Sequence, residues 1–154
     1  MKTQTPSSCR GFSLIELLIV AAIIGLIVAI AVPNLVNAIQ RGRQTRTVGD
    51  IKGLSTGLAL YQQDYAKFPE STDYTDISTF SADLAPYLGE GIATVDGWQR
   101  AFQYKSDGDN YTLVSFALNG TADEPWVQGI TQYFDDDIVV QDGEFWQVPQ
   151  GTQN

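Results

Sequence analysis

The sequence predicts an α+β chain: a long N-terminal helix, membrane-spanning in its first half and amphipathic in its second, packed on a small C-terminal antiparallel β-sheet. Three observations carry this expectation. Residues 12–32 form an apolar run broken by a single carboxylate, Glu16. From Leu35 to Ile39 and again from Val48 to Tyr65 apolar residues recur at steps of three or four, as one helical face requires. Beyond Trp98, aromatic and β-branched residues gather in short runs between turn residues, the composition of strands.

The first element follows from length. At roughly 1.5 Å per residue, residues 12–32 extend about 31 Å as a helix, close to the roughly 30 Å hydrocarbon core of a bilayer. An ionisable group inside such a segment costs on the order of 2.5–3.5 kcal/mol at mid-membrane, so Glu16 asks for a cation. Near the start of the helix it also complements the positive end of the helix dipole, and the two roles can coexist. Arg10 and Lys2 on one side face Arg41, Arg43 and Arg46 on the other, so the positive-inside rule is nearly balanced. A secretory signal peptide competes, with Ala29-Ile30-Ala31 as its cleavage site; the internal carboxylate and the length of the run count against it.

The helix is expected to continue past the membrane. Pro33 removes one backbone donor and crowds the preceding turn, and Gly25 is a second weak point, so these two residues are the expected kink sites. Val48, Ile51, Leu54, Leu58, Tyr61 and Tyr65 continue the apolar stripe to an end near residues 65–68, before Pro69. Gly49, Gly53 and Gly57 repeat every four residues on a neighbouring face, which suggests close backbone contact with the chain's own domain or with another subunit. Residues 69–90 read as mostly loop, with one short helix over 81–88. Strands are expected at 101–105 and 111–118, joined by the turn Ser106-Asp107-Gly108-Asp109-Asn110, with a third at 138–140 and a fourth at 145–148. Trp98, Trp126 and Trp146 are expected as core or edge filler.

Composition excludes several functions. The net charge is −9, a surface that repels nucleic acid and anionic headgroups. There is no histidine, and Cys9 is the only cysteine; no phosphate loop, serine elbow or carboxylate cleft is recognisable, so no enzyme is expected.

The run Arg10-Gly11-Phe12-Ser13-Leu14-Ile15-Glu16-Leu17-Leu18-Ile19-Val20 resembles the N-terminal signature of type IV pilins and of the pseudopilins of type II secretion. The resemblance implies a leader, residues 1–11, removed by a prepilin peptidase between Gly11 and Phe12, and N-methylation of Phe12. Glu16 then becomes the fifth residue of the mature chain, whose carboxylate neutralises the amine of a neighbouring subunit during filament assembly. An amine and a carboxylate buried together cost far less than either alone, and so select one register between subunits. Residues 12–33 become a transmembrane and assembly helix, and 34–154 a periplasmic or extracellular globular domain.

Weaker landmarks extend the likeness. Asp96-Gly97-Trp98-Gln99, the strand over 102–104, Tyr111-Thr112-Leu113-Val114-Ser115 and Asp137-Ile138 are most similar to the major pseudopilins, whose C-terminal loop binds calcium. Gly97 and Gln99 stand where that family usually shows Pro and Gly, and Asn119 where it usually shows Asp. The calcium ligands this implies are Asp137, with Asn119 and Asp123 contributing. Asp135, Asp136 and Asp137 crowd three like charges that a cation would relieve. No cysteine pair closes the C-terminal region, unlike the commonest adhesive pilins.

The expected function is a structural filament subunit, the major pseudopilin of a type II secretion system, polymerising through its N-terminal helix to drive protein export. Its expected partners are further copies of itself in a helical filament, the prepilin peptidase, the inner-membrane assembly machinery, minor pseudopilins and the membrane. The resemblance places it in the bacterial inner membrane, single-pass with a cytoplasmic N-terminus, and then in a periplasmic pseudopilus or surface pilus. A type IV pilus major subunit and a signal-cleaved secreted binding domain are the alternatives; a mature chain starting at Val32 rather than Phe12 identifies the last.

Overall fold

The computed structural model describes residues 11–89, 91 and 93–150; of the leader assigned to residues 1–11, all but Gly11 lies outside them. Contacts divide the chain into two units, 1–38 and 39–154. Helix α1, Leu14–Tyr65, contributes to both.

In the first unit every described residue is exposed, including Leu14, Ile15, Leu17, Leu18, Ile23 and Ile27. The helix is long and apolar enough to cross a membrane. It is continuous through Gly25 and Pro33. Pro33 has no N–H for the Ala29 carbonyl, and the next residue adds a donor close by: Asn34 Nδ2 donates to the Ile30 carbonyl at 3.1 Å.

In the second unit α1 buries one face. Ile51, Leu54 and Leu58 are fully enclosed, as the apolar stripe requires, and Val48 and Tyr61 pack at the edge of the core. Tyr65 is 60% exposed, because the helix ends there and the chain turns away through Ala66 and Lys67. Leu35 and Ile39 remain uncovered.

The sheet has six strands in the order β1-β2-β3-β5-β6-β4: β1 Ser71–Asp76, β2 Gln103–Ser106, β3 Tyr111–Ser115, β4 Gly129–Thr131, β5 Ile138–Gln141 and β6 Glu144–Pro149. The four expected strands are β2, β3, β5 and β6. The other two correct the sequence reading. Strand β1 falls in the stretch expected as loop, because Ser-Thr-Asp-Tyr-Thr-Asp has the polarity of a turn. Those same aspartates, with a bulge in its pairing to β2, suit a strand that guards a sheet edge. Strand β4 is only three residues long, pairs parallel with β6 and forms the other edge, so the sheet is mostly rather than wholly antiparallel. Helix α2, Ser81–Leu88, lies where it was expected.

Alternation sets the core. Phe102 and Tyr104 of the β2 region, Tyr111 and Leu113 of β3, and Ile138 and Val140 of β5 meet Ile51, Leu54 and Leu58 of α1, with Phe68, Ile77 and Leu84 closing the sides. None of the three tryptophans belongs to this cluster; each is half-buried.

The glycine repeat divides unexpectedly. A Cβ on Gly57 would run into the Leu88 side chain of α2, at 2.5 Å from Cγ, whereas Gly49 and Gly53 have nothing within 4 Å. Among the described residues, Gly57 alone of the three is in close contact. Gly53→Ala is therefore expected to stabilise the domain by about 0.5–1 kcal/mol through helix propensity. Gly57→Ala should fall below it by about 1–3 kcal/mol, because the added methyl overpacks Leu88. Urea unfolding of the full chain in detergent, followed by circular dichroism, measures both; equal stability of the two variants would remove Leu88 as the reason for Gly57.

Candidate functional site

Three constellations carry the chemistry, the first at the start of α1. Ser13 precedes the first helical residue and Glu16 lies three further on. Ser13 donates its backbone N–H to Glu16 Oε2 at 2.9 Å and its hydroxyl to the same oxygen at 3.0 Å, while the Glu16 N–H donates to Ser13 Oγ at 3.3 Å. This reciprocal pair is a capping box, which satisfies orphan donors of the first turn. The spacing Ser-x-x-Glu was its signal in the sequence. Glu16 forms no ion pair among the described residues. Its carboxylate is thus held at the helix start by neutral donors and remains exposed. Gly11 and Phe12, the expected processing residues, are exposed just before it.

The second constellation fastens a loop to α1. Asp96 is fully buried, and its Oδ1 accepts the N–H groups of Trp98 at 2.8 Å and Arg100 at 2.9 Å. Its Oδ2 accepts the Ser115 hydroxyl at 2.7 Å. The turn so shaped presents the Gly97 N–H to Thr47 Oγ1 at 2.9 Å and the Trp98 indole N–H to Gln40 Oε1 at 2.7 Å. A Cβ at residue 97 would collide with the Arg43 carbonyl. Gly97 therefore supplies both the clearance and an N–H donor, and a proline at this position offers no such donor. Thr47, buried on α1 as Gln44 also is, escaped the apolar periodicity because the helix meets this loop through the polar groups of Gln40 and Thr47.

The third lies in the loop before β5. Asp137 is fully buried; Oδ2 accepts the Asp123 N–H at 2.9 Å and the Trp126 indole N–H at 2.7 Å. Oδ1 is buried without a donor among the described residues. Burial pushes this carboxyl above its ordinary value against the pull of those two donors, and the nearby Asp123 and Asp136 charges add to the rise. Of the expected calcium ligands, Asp137 fits, with one orphaned buried oxygen. The other two are placed differently: Asn119 gives its side-chain oxygen to the Thr121 N–H at 3.0 Å, and Asp123 approaches Asp137 through its backbone N–H. Among the described residues no group of three acidic side chains is close enough to hold a metal. Asp136 turns to its own loop, accepting from the N–H groups of Gln132 and Tyr133.

Comparison with known proteins follows the same division of the chain. Residues 6–32 match the prokaryotic N-terminal methylation motif, and residues 34–129 match type II secretion system protein G. The chain belongs to the type II secretion system protein G family. Among its relatives, the type II secretion system core protein G of Vibrio cholerae is 29% identical over 130 residues, covering 80% of this chain and 86% of that protein. Its counterpart in Escherichia coli K12 is 28% identical over 114 residues, covering 74% and 77%. The type IV major pilin protein PilA of Myxococcus xanthus is 41% identical over 80 residues, which is 52% of this chain and 33% of that pilin. No solved structure matches. The methylation-motif match includes Gly11, Phe12 and Glu16, and the family match includes the Asp96 loop but ends before Asp137.

The buried carboxylate generates a pH prediction. Because the folded state raises the Asp137 value, folding favours the protonated form. That stabilisation is fully present below the unfolded value, near 3.9, and is lost as pH rises through the folded value. With chelator present, the wild-type chain should lose stability across this window by up to about 1.4 kcal/mol per pH unit relative to Asp137→Asn, which cannot ionise. Urea titrations at a series of pH values give the difference. Parallel pH curves for the two proteins would mean that Asp137 does not titrate in this way.

Proposed function

We propose that this chain is the major structural subunit of a type II secretion pseudopilus. In this reading a prepilin peptidase cuts between Gly11 and Phe12, Phe12 is N-methylated, and the chain sits in the inner membrane with its N-terminus cytoplasmic. It then polymerises through α1, with the assembly machinery and minor pseudopilins, into a periplasmic filament that drives export. The observation that carries the proposal is the first half of α1: apolar, exposed along its whole described length, and marked by one carboxylate with no ion pair among the described residues. Apolar area of that extent demands cover. A bilayer covers it in the single subunit and neighbouring helices cover it in a filament. The family match across residues 34–129 favours the secretion pseudopilus over an adhesive or motility pilus.

Glu16→Ala tests the assembly role. The variant should remain in the membrane with the mass of a chain starting at N-methylated Phe12, while filament yield falls to background. Filaments at wild-type yield would refute the pairing of Glu16 with a neighbour's amine, and a mature chain starting at Val32 would refute the filament reading.

We further propose that Asp137 Oδ1 is a calcium ligand, supported by its burial without a donor beside Asp123 and Asp136. Calcium takes six to eight oxygens, and when bound it supplies the positive charge this carboxylate lacks. Millimolar calcium should raise the melting temperature of the full chain at neutral pH, and Asp137→Ala should abolish the rise. A melting temperature unchanged between calcium and chelator would remove the ion from this site.

A further inference from the structure

The part of α1 within the globular unit has ends of opposite charge. At its start Arg41 and Arg43 are exposed and have no carboxylate partner among the described residues, while Arg46 is paired with Asp50 at 3.3 Å. At its far end the fold gathers acidic turns. Phe68 N–H donates to the Gly108 carbonyl, and Asp142 N–H to the Tyr111 carbonyl, so the β2–β3 and β5–β6 turns lie together just beyond Tyr65. These turns expose Asp107, Asp109, Asp142 and Glu144. Backbone N–H groups of Asn110 and Asp109 hold the Asp107 carboxyl below its usual range, keeping it ionised. Lys67, two residues beyond the end of the helix, is already tied to Glu70 at 2.7 Å.

The two ends cannot satisfy each other. From Gln40 to Tyr65 the helix rises about 37 Å, several times the roughly 8 Å over which charges interact at physiological salt. Copies anchored in one membrane by the same N-terminal helix point the same way, so side-by-side packing without a shift sets like charge against like. A copy displaced along the helix axis sets the arginines of one against the acidic turns of the other. Such a head-to-tail contact is heterologous and propagates into an open helical assembly.

We propose that Arg41 and Arg43 of one copy dock on the acidic turns carrying Asp107, Asp109, Asp142 and Glu144 of a second copy displaced along the helix axis. This contact fixes the axial stagger of the filament. It rests on the filament reading above but adds a second, electrostatic determinant that is separate from Glu16.

The test uses full-length chain assembled by its own secretion system, with filament yield and processed, membrane-bound subunit measured side by side. The paired variants are Arg41→Glu with Arg43→Glu, and Asp109→Arg with Glu144→Arg. None of these four side chains makes a hydrogen bond or ion pair among the described residues. Each pair alone should lower filament yield at least about tenfold, since facing like charges oppose docking. All four substitutions together should restore it to within about threefold of wild type, because reversing both partners rebuilds the attraction. Wild-type filaments should also thin out as salt is raised. Wild-type yield from either pair, or no recovery in the fourfold variant, would overturn the docking while leaving the filament reading intact. Loss of the arginine variant from the membrane fraction would overturn it too, by assigning the arginines to lipid headgroups. If the wild-type chain itself made no filaments, the filament reading would fail and this docking with it.

Discussion

Half of α1 has no cover among the described residues. From Leu14 to Ile39 the helix carries leucine, isoleucine and valine on all sides and leaves each of them exposed. Burial of such area is the dominant favourable term in folding and association, so this segment has a strong drive to leave water. A bilayer and a bundle of like helices both satisfy that drive, because backbone groups are already paired within the helix and only side chains need an apolar surround. What the drive does not specify is register, since apolar side chains slide past one another at little cost. Register has to come from polar groups, and among the described residues of the first unit these are Ser13, Glu16, Asn34 and Asn37.

The globular unit solves the opposite problem, gripping one stretch of the same helix and no other. Ile51, Leu54 and Leu58 supply the area, but area alone would tolerate a shift of one turn. The polar loop around Asp96 does not. Its buried carboxylate accepts three hydrogen bonds, and the shape so fixed brings the Gly97 N–H onto Thr47 and the Trp98 indole onto Gln40. A shift along the helix would leave the half-buried Gly97 and Trp98 donors without Thr47 and Gln40, a cost that favours this one register. The loop therefore acts as an index mark on the helix.

Much of this was legible in the sequence because it depends on period and length. The membrane-length run, the 51-54-58 stripe, the short helix at 81–88 and the hairpin around Gly108 each follow from spacing and turn chemistry. What escaped was decided by partners distant in sequence. Strand β1 has a polar composition that only its edge position explains, and β4 is too short to carry a period. Gln40 and Thr47 look like surface residues until the Asp96 loop arrives. Gly53 and Gly57 are indistinguishable by spacing, and Leu88 alone separates them. Trp126 gave no sign that its indole N–H would be spent on Asp137. At the site itself, Ser13 and Glu16 had the capping-box spacing all along, masked by the more conspicuous question of a charge in an apolar run.

That capping box bears on how a carboxylate waits in a membrane. An isolated charge at mid-bilayer is costly, but Glu16 lies in the first turn, where free N–H groups and the helix dipole favour a negative group. Two donors from Ser13 and the positive end of the helix already satisfy part of it before any neighbour arrives. In the proposed filament, pairing with an incoming amine would gain less than the full attraction of two naked charges, because those donors must share the carboxylate. The balance suits a subunit that has to be both stored and assembled. A carboxylate wholly unsatisfied in the single chain would resist insertion, and one wholly satisfied would give a neighbour nothing to recognise. Ser13 holds Glu16 with neutral donors and offers it no counter-charge, so in the proposed filament a neighbour's cation remains the complement it lacks.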